Sequence, residues 1–178
     1  PGQSMTHIKT VSGITSTLEG AGVIMYVQGG ATAAIIGDSI SDPESKMVFH
    51  IPITGTKTGV EHVGSNIVFF NTANNKFVQL RNPLINLKSG VVNAGIPQAD
   101  SQSMAALTIT NASELKPKVT NDKKAKLRTS AYAGAKLSLA PGIGAALTSL
   151  LGLPEGSIPE GLAFATADVT LYSKTTGK

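Results

Sequence analysis

Residues 67–83 constrain the fold of this chain more than any other stretch. Ile67, Val68, Phe69 and Phe70 are β-formers, and the five residues that follow, Asn71, Thr72, Ala73, Asn74 and Asn75, carry the chemistry of a turn. Asn accepts positive φ and bonds its own backbone, so such a run reverses the chain. Phe77, Val78, Gln79 and Leu80 then resume an extended pattern, and Pro83, with no N–H to give a ladder, is expected to end it. The unit reads as an antiparallel pair of strands with no catalytic residue in it. That favours a structural or binding protein over an enzyme.

Most of the chain repeats this idiom. Residues 5–15 alternate polar and apolar, and Ile8, Thr10, Ser12 and Ile14 fall on one face of a predicted strand. Further strands are predicted over 23–27, 33–36, 46–54, 104–110, 125–132 and 162–172. In the third of these Met47, Phe49, Ile51 and Ile53 share a face. Residues 16–22 read as a break, 42–45 as a surface turn, 55–64 as a loop and 111–121 as a polar connection. Residues 84–92 are apolar without a clear period. Residues 142–151 are the one helical candidate, stopped by Gly152, and the tail from Ser173 is expected to be disordered. Hydrophobic residues make up 41% of the 178, charged residues 15%, with 19 glycines and no Trp. A small, β-branched, Gly-rich composition of this kind favours an all-β sandwich in a single domain over a helical bundle.

Three short stretches read together narrow this further. Residues 49–55 are FHIPITG, residues 80–83 are LRNP, and residues 130–134 are SAYAG. In wording and in order they resemble the FaeG-like fimbrial subunits, major pilins and adhesins of chaperone–usher fimbriae, and the likeness spans about half of the chain. The resemblance implies an incomplete immunoglobulin-like β-sandwich with one short helix, completed by donor-strand complementation. Residues 1–15 would then be an N-terminal extension, with Ile8, Thr10, Ser12 and Ile14 as the donor strand, and residues 16–178 the pilin-like domain. Implied partners are neighbouring subunits of the same polymer, a periplasmic chaperone, an outer-membrane usher and a host glycan as receptor. The implied location is extracellular, on a fimbrium reached through the periplasm. The family's closing strand ends in an aromatic pair; here only Tyr172 matches, with six residues after it. The family's receptor-binding insertion is much shorter here, so no receptor residue is carried over. A virion or phage-tail structural protein, equally β-rich and self-associating, is the alternative reading, and a monomeric lectin-like module a third.

The chemistry-bearing residues point away from catalysis. There are no cysteines, which excludes disulfides, thiolate nucleophiles and Cys-based zinc sites. That absence also fits the FaeG-like branch. No apolar window reaches the length of a transmembrane helix and no signal peptide is seen. The chain starts at Pro1, so either a leader was cleaved or the first four residues are a cloning remnant ahead of Met5. His7, His50 and His62 lack the H-x-H or H-x-x-x-H spacing that would set two imidazoles on one metal. Asp38, Asp42 and Glu44 share a Gly/Ser/Pro turn without the spacing of a calcium loop. The glycine pairs Gly20/Gly22 and Gly142/Gly144 recur without a phosphate-loop pattern. No enzymatic activity, cofactor or bound metal is expected.

The sharpest polar feature is basic. Lys116, Lys118, Lys123, Lys124, Lys126 and Arg128 stand against Glu114 and Asp122, and the segment's net charge equals the whole chain's +4. Such a cluster could hold sulfated or sialylated glycans or anionic headgroups. Nucleic acid is not expected, since no aromatics interleave to stack bases. The competing reading is a solvated loop and strand face that guards an edge against aggregation.

Overall fold

The computed structural model describes residues 3–175. Within them the chain is mostly antiparallel β-sheet with two short α-helices, as an all-β composition requires. The strands are β1 (Met5–Thr10), β2 (Val23–Gly29), β3 (Thr32–Ile36), β4 (Lys46–Pro52), β5 (Val60–Glu61), β6 (Ser65–Asn71), β7 (Phe77–Asn86), β8 (Val91–Ile96), β9 (Ser101–Ile109), β10 (Lys118–Asp122), β11 (Leu127–Leu139) and β12 (Ala163–Lys174). The helices are α1 (Ile14–Gly20) and α2 (Ile143–Leu150).

Ten strands form one hydrogen-bonded path, β2-β6-β7-β8-β9-β11-β12-β1-β4-β3, with β10 added to β11 and β5 to β7. The path does not divide into two facing sheets. Instead its ends approach each other, because β2 and β3 are consecutive and joined through Gly29, Gly30 and Ala31. Gly29 sits at φ 74°, and a Cβ there would collide with the carbonyl of Gly64, so only glycine fits this corner. Phe69 of β6 and Phe164 of β12 are far apart along the path, yet their rings meet inside with centroids 6.1 Å apart. The sheet is therefore barrel-like around one core, which includes Val23, Phe49, Val78 and Leu151, all at 0% exposure. The expectation of an all-β fold thus holds at the level of class, with one barrel-like sheet.

The β6–β7 hairpin forms as its sequence predicts, with Phe70 opposite Phe77 and Asn75 at φ 61°. Its asparagines do more than turn the chain. The side-chain amides of Asn71 and Asn74 donate to the Leu151 carbonyl, at 2.8 and 3.0 Å, and so satisfy the end of α2. At the other end of α2, Glu160 accepts from the Gly142 and Ala145 N–H groups. Pro83 does not stop β7, contrary to expectation. The strand passes through it by a register shift between Arg81 and Leu84, with Asn82 at φ 49°. A bulge leaves a residue outside the ladder, which is where a proline can be tolerated.

Helix α1 lies where a break and the end of a strand were expected. Gly13, at φ 86°, ends the extended run, and Ile14 and Leu18 bury against the core. Residues 1–2 and 176–178 lie outside the described residues, so the readings of Pro1 and of the end of the tail are not addressed. Ser173 and Lys174, expected to be disordered, close β12.

Candidate functional site: the slot of the first strand

β1 occupies a slot between β12 and β4 and is antiparallel to both. Met5 faces Thr170 and Pro52; Lys9 faces Thr166 and Val48. Its side chains alternate as a half-buried strand must, with Thr6, Ile8 and Thr10 inward at 0%, 4% and 1% exposure. His7 and Lys9 face out. A slip of one residue would drive both of these polar side chains into the core, so the register is strongly specified.

Two of the three inward side chains are hydroxyls, and both are bonded. The Thr10 Oγ1 accepts from the Met47 N–H at 2.9 Å. Thr6 Oγ1 lies 2.7 Å from Nε2 of His62, whose Nδ1 is 2.6 Å from the Pro83 carbonyl. A carbonyl can only accept, so Nδ1 carries the proton; the neutral ring then accepts the Thr6 hydroxyl proton at Nε2. His62 is 1% exposed, and burial pushes its pKa below the ordinary 6.5, opposed in part by the bond to Pro83. The β7 bulge thus has a use: it aims the Pro83 carbonyl at the histidine that anchors β1. Outside the strand, Ser4 receives the Tyr172 N–H on its hydroxyl and the Ile53 N–H on its carbonyl.

The expected donor-strand residues are divided by the structure. Ile8 and Thr10 point inward and Lys9 outward, as the alternation predicts. Ser12 is exposed in the turn after β1, and Ile14, though 3% exposed, is buried as the first residue of α1 and not on the strand. Gly13 causes the difference, because its left-handed φ breaks the period of 2. Thr6, which the prediction left out, obeys the same alternation one step earlier. His62 has no such signal: it lies in a loop, and only the fold brings it to Thr6.

The basic residues do not share a face. β10 and β11 form a hairpin in which Lys118 pairs with Ala131 and Asn121 with Arg128. Directly opposed residues lie on one side and successive residues on opposite sides, so Lys118 and Arg128 project to opposite faces. Lys123, Lys124 and Lys126 crowd the exposed tip, with Lys126 at φ 49°, and Lys116 lies in the approach to the hairpin. The expected anion-binding face is therefore a lysine-tipped ribbon. Among Asp38, Asp42 and Glu44, Asp42 Oδ1 accepts the Glu44 N–H at 2.9 Å, an ordinary turn contact.

The histidines give an outcome that local spacing does not foresee. His7 and His50 stand opposite each other on β1 and β4, their ring centroids 3.8 Å apart and their planes at 58°. Among the described residues no group of three or more His, Cys, Asp or Glu side chains is placed to hold a metal ion. Among the same described residues no helix is long and apolar enough to cross a membrane. Comparison with protein-family models, with curated proteins and with solved structures finds no match to this chain.

Proposed function

We propose that the chain is a structural subunit that polymerises by exchanging β1: the first strand of one copy fills the β12–β4 slot of the next. The observation that carries this is the place of β1. It is a separable strand at one end of the described chain, inserted between two others and antiparallel to β12. After it come only Val11, Ser12 and Gly13 before α1. Swinging β1 out at Gly13 and seating an identical strand from another copy would restore every contact, which is the energetic basis of strand exchange. Burial of the Ile8 side chain contributes about 1.5–3 kcal/mol, and the two hydroxyl bonds fix the register.

With β1 withdrawn, the path is cut between β12 and β4, and each is left with a row of unpaired backbone groups beside an apolar floor. That open form corresponds to the incomplete immunoglobulin-like sandwich of a fimbrial subunit, the resemblance carried by residues 49–55, 80–83 and 130–134. In this reading a chaperone covers the open slot, an usher replaces it with the next subunit's strand, and the lysine tip of the β10–β11 hairpin meets anionic host glycans. The assembled location is a fimbrium outside the cell.

A variant lacking residues 3–11 tests the reading. Expected is a monomer that binds a synthetic peptide of residues 3–11 one to one and then gains stability. A folded variant that ignores the peptide, or assembly that survives the deletion, overturns it. Spontaneous rings or tubes of the deleted protein would favour the virion or phage-tail alternative.

A further inference from the structure

The outer face of the sheet carries a transverse row that crosses five strands. Thr32 of β3 faces His50 of β4, His50 faces His7 of β1, and His7 faces Asp168 of β12. The row ends on β11, where the Gly134 N–H, at the bulge, donates to Asp168 Oδ1 at 2.8 Å and holds that carboxylate in place. Both imidazoles are exposed and line a surface depression with small neighbours, Ala34 and Thr166, that leaves the rings accessible.

We propose that His7 and His50 form a two-imidazole site for a divalent transition cation of the zinc class. Imidazole nitrogens suit zinc, copper and nickel, and two of them bound to one zinc at 2.0–2.1 Å stand about 3.3 Å apart in tetrahedral geometry. The rings stand on facing positions of adjacent strands with centroids 3.8 Å apart, and chelating one tetrahedral ion would swing them apart to about 5 Å between centroids by side-chain rotation into the open depression. The remaining coordination positions fall to water, since no third protein ligand is in place among the described residues. Asp168 contributes a negative charge beside His7 and offsets Lys9, which lines the same depression. The ion would tie β1 to β4 from outside, opposite the Thr6–His62 bond inside.

The site needs β1 seated, whether by its own chain or by a copy, and so does not rest on the assembly reading. Zinc titration of the full chain by calorimetry, with melting temperature followed in parallel, tests it. Expected are saturable one-to-one binding and a melting temperature that rises with zinc concentration. Both effects should vanish in His7→Ala and in His50→Ala, whose exposed side chains can be removed without disturbing the core. Asp168→Asn should weaken binding several-fold. Absence of binding by the unaltered protein, or binding that survives either histidine replacement, overturns the proposal. Loss of binding in the variants with strand exchange unchanged would separate this site from the proposed mechanism of assembly.

Discussion

β1 and β10 are short antiparallel strands of similar length in opposite circumstances. β1 has a partner on each side and alternates buried and exposed residues; β10 has one partner and every residue exposed, Val119 at 39% included. The threonines of β1 turn inward and find partners while His7 and Lys9 face water, whereas every polar side chain of β10, and the three lysines at its tip, remain in water. Strand formation alone thus says little about stability. The energy of a strand lies in what its buried side touches, and an edge strand that is exposed throughout and tipped with lysines is suited to resist pairing with strangers.

The largest contrast is expected on truncating one apolar residue in each. Ile8→Ala should cost about 2–5 kcal/mol, read from urea unfolding, while Val119→Ala should stay within about 0.5 kcal/mol. Equal costs would break the comparison. Next is Thr6→Val, which keeps the shape but leaves His62 Nε2 without its donor; about 1–3 kcal/mol is expected, and a neutral outcome would show that water replaces the hydroxyl.

Acid should act through the same contact. His62 has a lowered pKa in the folded state, so below 6.5 the unfolded chain takes up its proton more readily than the folded one. The stability it contributes is fully present above pH 6.5 and is lost as the pH falls toward the folded value. Urea midpoints at pH 7.5 and pH 5 should differ less in His62→Asn than in the unaltered protein. An unchanged difference would remove His62 from the account. The smallest effect on stability is expected at the hairpin tip, where replacing Lys123, Lys124 and Lys126 by Glu should shift stability by no more than about 0.5 kcal/mol per site. The same variant should lose retention on heparin at low salt. Unchanged retention would leave the tip as a solvated guard of the edge.

What could be read in the sequence was whatever repeats over a few residues. The β6–β7 hairpin declared itself through Asn71 to Asn75, α2 through Leu147, Leu150 and Leu151, and the inner face of β1 through Ile8 and Thr10. The period of 2 failed where a single glycine changed the backbone, so Ser12 and Ile14 were placed on a strand that Gly13 had already ended. Pro83 misled in the other direction, because a bulge removes the requirement for its missing N–H. Contacts between distant segments left no local trace. Thr6 meets His62, His7 meets His50, and Phe69 meets Phe164 only after the sheet has curled. Whether twelve strands make one barrel-like path or two sheets is likewise decided by pairing partners, which periodicity cannot specify.

The adjacency of β1 and β12 has a kinetic consequence. Met5 pairs with Thr170, so the first strand has no partner on that side until almost the whole described chain has been synthesised. Contacts of such high sequence separation are entropically late and make folding slow. Meanwhile β4 has its β3 partner and offers β1 its other flank, and the second side of the slot arrives only with β12. Under the proposed strand exchange, whether β1 and β12 are joined within a chain or between chains would then be a matter of concentration and timing, because the contacts formed are the same.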